Sequence, residues 1–147
     1  RELVQTCDLA PRGALGAAYA AANQAGRGER ALELVGDSAD EPAAARVRGG
    51  RIAPRPRVLT FMMPGRIVEV DLTSSMPGMI RARGLVVNRS GQTAPSGRLV
   101  LHHPDGEASG PLDRYGAFQV DDVPRGPVRV AFHPTGHDPV VADWLVC

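Results

Sequence analysis

The chain has 147 residues, 43% of them hydrophobic and 22% charged, and a formal net charge of +1. That length suits one domain, or one domain with a small appendage, and the apolar fraction suffices for a core. A net charge near zero argues against a partner held by electrostatics over the whole surface, and no apolar run is long enough to span a membrane as a helix. All 17 basic residues are Arg, with Ile scarce and Ala, Gly, Val and Pro abundant. Coding bias in a GC-rich bacterial genome accounts for this better than selection for phosphate binding.

Residues 1–42 read as a helical segment. Leu3, Val4 and Cys7 share a face, and Leu15, Tyr19 and Ala22 recur at helical spacing after Pro11, a favoured first-turn residue. Beyond Gly26 and Gly28, the residues Ala31, Leu32 and Val35 resume that spacing in a short helix stopped by Gly36. The apolar stripe is thin and mostly Ala, so it would be marginal alone and is expected to pack on the rest of the chain or on a partner. Residues 43–57 change character: Arg46, Arg48, Arg51, Arg55 and Arg57 stand among Gly and Pro, which forbid a long helix and predict a linker or extended arm.

From Val58 to the C-terminus the chain reads as antiparallel strands. Pro64-Gly65 turns Val58–Met63 back into Ile67–Leu72, where Val68, Val70 and Leu72 face inward. Ile80–Val87 follows, with a change of phase expected at Gly84 as a bulge would make. After a polar loop over Asn88–Gly97, Leu99–His102 leads through Pro104-Asp105-Gly106 to a weaker strand near Glu107–Leu112. Asp113-Arg114-Tyr115-Gly116 has the ends of a tight turn, then come Ala117–Val120, Val128–Phe132 and Val140–Val146. In the last of these, Val140, Ala142, Trp144 and Val146 share a side, which makes Trp144 a core anchor. Strands this short, with turns every 8–12 residues or so, predict a mainly β fold: an antiparallel β-sandwich over 58–147 behind the small N-terminal helical segment.

The segment from Arg83-Gly84-Leu85-Val86-Val87 to Val130 resembles the carboxypeptidase regulatory-like, or transthyretin-like, β-sandwich domain. The matching pieces are the Gly-led strand, Asp113-x-x-Gly116-x-Phe118 and Gly126-x-Val128-x-Val130. The resemblance covers about a third of the chain and implies an accessory, scaffolding or interaction module. The Ala-rich N-terminal region, Val58 to Phe61, the Asp113-to-Val130 piece and Asp143-Trp144 are together similar to small actinobacterial proteins of unknown function, some encoded beside alternative sigma factors. That similarity implies a cytoplasmic transcription or signalling factor as partner, although the zinc-binding His-x-x-x-Cys-x-x-Cys of anti-sigma proteins is missing.

No catalytic motif stands out. The chain ends Trp144-Leu145-Val146-Cys147, where the hydroxyisourate hydrolases among transthyretin-like proteins end Tyr-Arg-Gly-Ser. Tyr19 and Tyr115 lie too far apart in the pattern to join two His in an iron site. His102, His103, His133 and His137 fall at strand ends or turns, and adjacent residues on a strand point to opposite faces, so only one of His102 and His103 could share a site with His133. Solvated turn histidines are the simpler reading, with no metal and no cofactor. Arg46, Arg48 and Arg51 could follow a phosphate backbone, but no aromatic is interleaved for stacking and Asp37, Asp40 and Glu41 flank them, which argues against nucleic acid. Arg81, Arg83 and Arg129 would make one outward basic patch if their strands pair. Cys7 and Cys147 match no metal or redox spacing; two separate thiols are preferred to a bridge closing nearly the whole chain. The sequence therefore reads as a non-enzymatic protein-interaction or regulatory module, with Leu15, Tyr19, Leu32, Arg46, Arg48 and Arg51 as candidate contacts. The compartment is read as cytoplasmic. The alternative is a secreted or envelope accessory domain binding a carbohydrate or polymer surface, its leader trimmed upstream of Arg1.

Overall fold

The computed structural model describes residues 31–40, 57–91 and 93–147. It is mainly β, with two antiparallel sheets. Strands β1 (Glu33–Asp37), β2 (Arg57–Met63), β3 (Arg66–Ser74), β4 (Met79–Asn88) and β7 (Ala117–Pro124) form the first, in the order β1-β2-β3-β4-β7. The second runs β10-β8-β5-β6, from Leu145–Val146, Pro127–Pro134, Gly97–His103 and Gly106–Pro111, and β9 (Val140–Val141) also pairs with β8. Alternation along each strand turns one face inward. Leu59, Phe61, Val68, Val70, Ile80, Val86, Phe118 and Val120 of the first sheet thus meet Leu99, Leu101, Val128, Val130, Phe132 and Leu145 of the second in a single apolar cluster.

The strands expected from β2 to β8 are present, and three readings need correction. The first is the short helix over Ala31–Val35. Glu33–Asp37 is an edge strand pairing with β2, Leu34 opposite Phe61, and Leu32 is only 2% exposed inside the core. Leu32 and Leu34 alternate with Glu33, a two-residue period that the helical spacing of Ala31, Leu32 and Val35 obscures. An adjacent strand offering a hydrogen-bonding edge then decides between the two. Arg57, assigned to the arm, instead opens β2 and clamps Asp37 with two hydrogen bonds, Nε to Oδ1 at 3.0 Å and Nη2 to Oδ2 at 2.8 Å. The sheet therefore includes residues upstream of Val58. Residues 1–30 of the expected helical segment and 41–56 of the expected linker lie outside the described residues.

The second correction is the bulge. β4 keeps one phase through Gly84: Ile80, Ala82 and Val86 are buried, while Leu85 and Val87 face out. Gly84 is needed for space instead, since a Cβ there would lie 1.8 Å from the Glu69 carbonyl oxygen and 2.9 Å from the Phe118 ring. The irregularity is in β7, where Val120 pairs with Ala82 but Val123 with Ile80. The extra residue falls at Asp121-Asp122, and Asp122 takes a φ of 58°. That lets Val120 and Val123 both reach the core.

The third is the last strand. Ala131 pairs with Val141, whereas Val128 pairs with Leu145, one residue out of step. A one-residue slip exchanges the faces. Leu145 and Cys147 are consequently buried and Trp144 is not a core anchor; it is half-buried, with the Arg129 guanidinium 6.0 Å from its ring centre.

Phe118 does face inward, 6% exposed. Phe118→Ala is expected to cost about 3–5 kcal/mol, the range for emptying a buried aromatic site, read as a shift in the urea midpoint. A cost below about 1 kcal/mol would mean that the two sheets close over the gap.

Candidate functional site

The two outward faces differ. On the second sheet Val100 and Ala131 sit on the outward side, paired with each other, yet both are completely buried. On the first sheet Leu85 and Val87 are 42% and 48% exposed on one strand. Edge strand β1 adds Val35 among the exposed large apolar residues. Large apolar side chains grouped on a sheet face and rimmed by charge are the usual mark of a contact surface.

Strand register builds this surface row by row. Met62, Ile67 and Val87 lie side by side across β2, β3 and β4. The next outward row is Thr60, Glu69, Leu85 and Ala117, and the one after is Val58, Asp71, Arg83 and Gln119. Thr73 and Arg81 follow. One end of the face is thus apolar and the other charged, with carboxylates on β3 and guanidiniums on β4. A shallow cleft of about 410 Å³ follows the charged part, lined by Glu69, Asp71, Arg81, Arg83, Leu85 and Ala117 among others.

The charges are unequally satisfied. Arg81 donates from Nε to Asp121 Oδ1 at 2.5 Å, and Gln119 donates to Asp121 Oδ2 at 3.0 Å. The Gln119 and Arg81 hydrogen bonds hold the Asp121 carboxyl below the usual carboxylate range. Asp71 Oδ1, by contrast, is buried without a hydrogen-bond partner although Arg83 stands opposite it in register. A buried acceptor left unmade is costly, and that cost falls within the chain, because the oxygen is closed off from outside.

The histidines do not gather. His102 lies on the outward side of the second sheet between Glu107 and Arg129, its Nδ1 3.4 Å from Glu107 Oε2. His103 is opposite Gly106 and His133 opposite Arg98. No three His, Cys, Asp or Glu among the described residues group as a metal ion would need. Burial keeps the His102 imidazole below its ordinary pKa, opposed by Glu107 and helped by Arg129 and His103. His133 is shifted the same way, by burial first and then by Arg98 and His102. A lowered folded-state pKa means that the unfolded chain takes up protons the folded one refuses, so this contribution is full above the ordinary imidazole value and lost as pH falls below it. Stability should therefore rise with pH across the acid side of that value. Urea unfolding across the window tests this, and His102→Gln should flatten the slope; an unchanged slope would remove His102 from the account.

Of the expected contact residues, Leu32 is in the core and offers no surface. Leu15, Tyr19, Arg46, Arg48 and Arg51 lie outside the described residues. Arg81 and Arg83 share the first sheet's outward face, but Arg129 belongs to the second sheet, so the three make no common patch. The Leu85–Val87 surface escaped the sequence reading because a bulge placed at Gly84 turned those residues inward; unbroken alternation from Ile80 would have found them.

Cys147 is disulfide-bonded, and Cys7 is the only other cysteine in the chain. The reading of two separate thiols is corrected accordingly. No helix among the described residues is long and apolar enough to cross a membrane. No family model, no curated protein and no solved structure matches the chain.

Proposed function

We propose that this protein is a non-enzymatic interaction module that presents the outward face of its first sheet to a protein partner. The observation that carries the reading is the pair Leu85 and Val87, exposed beside charged residues of both signs. A flat, mixed face of this kind suits protein recognition better than sugar binding, which favours exposed aromatic platforms. Tyr115, 68% exposed at a turn with the Arg114 guanidinium 5.0 Å from its ring centre, is the sole exposed large aromatic among the described residues. Two antiparallel sheets around one core also support a sandwich of the transthyretin-like kind, of which accessory and scaffolding roles are typical.

The disulfide at Cys147 favours an exported site of action over a cytoplasmic regulator, because structural disulfides persist in oxidising compartments. A photo-crosslinking residue at Leu85, compared with one at Glu107 on the second sheet, tests the reading in the host cell. Adducts at position 85 and none at 107 are expected. Equal yields at both, or none at either, would refute an interaction face on the first sheet. Thiols that an alkylating reagent reaches in intact cells without prior reduction would return the protein to the cytoplasm.

A further inference from the structure

We propose that residues 1–30 lie across the outward face of the second sheet, packed on the row Val141, Ala131, Val100 and Ser109. The inference is independent of what the first sheet binds. Strand register sets these four side by side over β9, β8, β5 and β6. Val100 and Ala131 stand outside the core cluster, yet both are completely buried. Val100 is flanked across the strands by Ala131 and Ser109, which are too small to screen a valine. Arg129 Nε, in the adjacent row, is closed off as well, with no hydrogen-bond partner among the described residues. A cover therefore rests on the middle of this face, whereas Leu85 and Val87 on the outward face of the first sheet are open to water.

Position, reach and composition name the occupant. Ala31 bridges Val141 in parallel, and the Leu32 amide donates to the Val141 carbonyl at 3.0 Å, so residues 1–30 join the fold at one end of the row. Cys147 is disulfide-bonded and stands on the same edge, beside Gly126 at the start of β8. A bridge to Cys7, the one other cysteine in the sequence, would hold residue 7 roughly 17 Å along that edge from Val141, at about 3.3 Å per residue of β8. Residues 8–30 would span about four times that gap if extended, so they have to double back. The sequence reads Leu15, Tyr19 and Ala22 as a thin apolar stripe in an Ala-rich stretch. Such a stripe matches a row of Val, Ala and Ser bordered by Arg98, His102, Arg129 and His133.

A benzophenone amino acid at position 109, in the purified, oxidised chain at high dilution, tests the proposal. Ser109 is exposed and lies at the far end of the row from the Ala31 bridge, so only a segment that crosses the sheet reaches it. Irradiation followed by peptide mapping is expected to join position 109 to a residue of 1–30. An adduct within one chain leaves its mass unchanged, which separates it from an adduct to a partner. The same amino acid at position 85 should give no adduct to 1–30. Thermal melts confirm that each labelled chain is folded; if the one labelled at 109 is not, position 107, exposed in the adjacent row, takes its place. No adduct from the second sheet to 1–30, adducts between chains alone, or equal yields to 1–30 from the two sheets would overturn the proposal. None of these outcomes touches the partner reading, which is scored on adducts from Leu85 to other proteins in the host cell.

Discussion

Gly116→Val should cost about 3–5 kcal/mol, a large share of the ~5–15 kcal/mol that a small domain has to lose. Two effects add. Gly116 holds a φ of 83°, which strains a residue with a branched Cβ by about 1–2 kcal/mol. A Cβ there would also lie 2.3 Å from the Val86 carbonyl oxygen and 3.1 Å from the Ala94 Cβ, so the backbone has to move. Movement breaks the turn, in which Gly116 donates to the Asp113 carbonyl at 3.0 Å and the Val86 amide donates to the Gly116 carbonyl at 2.8 Å. Asp113 Oδ1, accepting from the Tyr115 and Ala117 amides, is pulled out of position too. Gly65 provides the control. Its φ is 78° but nothing approaches a Cβ there, so Gly65→Ala should cost only about 1 kcal/mol. Gly116→Ala should cost clearly more; equal urea midpoints for the two alanine variants would show that the contact with Val86 does not matter.

Reducing the Cys147 disulfide, or replacing Cys147 with Ser, should lower the melting temperature by about 15 °C. A bridge from Cys147 to Cys7, the one other cysteine in the sequence, would close nearly the whole chain, and a loop of ~100 residues or more removes about 4–5 kcal/mol of unfolded-state entropy. At ~3–4 °C per kcal/mol for a chain of this length, the shift follows. The C-terminal end is well anchored: Cys147 exchanges backbone hydrogen bonds with Gly126 at 2.7 and 2.8 Å, and Cys147 itself is buried in the same core cluster as Leu145. Calorimetry with and without reductant reads the effect, and Cys7→Ser should match Cys147→Ser. A melting temperature indifferent to reductant would mean the ends of the chain are held together without the bond.

Both predictions show which parts of the molecule are legible in one dimension. Turn chemistry is local: Asp113, Gly116 and the alternation of Val128, Val130 and Phe132 announce a turn and a strand without help from distant residues, and these elements stand where the sequence puts them. The mainly β class and the inward set Val68, Val70 and Leu72 follow from the same two-residue period. What the sequence could not carry is anything set by a partner strand. Glu33–Asp37 satisfies a helical spacing as well as a strand, and only the free edge of β2 makes it a strand. Trp144 alternates correctly with Val140 on paper, but the one-residue slip against β8 sends Leu145 inward instead. The Leu85–Val87 face depends on where the extra residue falls, and β7 takes it at Asp121-Asp122, leaving β4 in phase. Register and bulges come from hydrogen bonds between residues far apart in the chain. The sequence by itself therefore determined which residues could be strands and turns, and the tertiary pairing alone decided which side of each strand meets water.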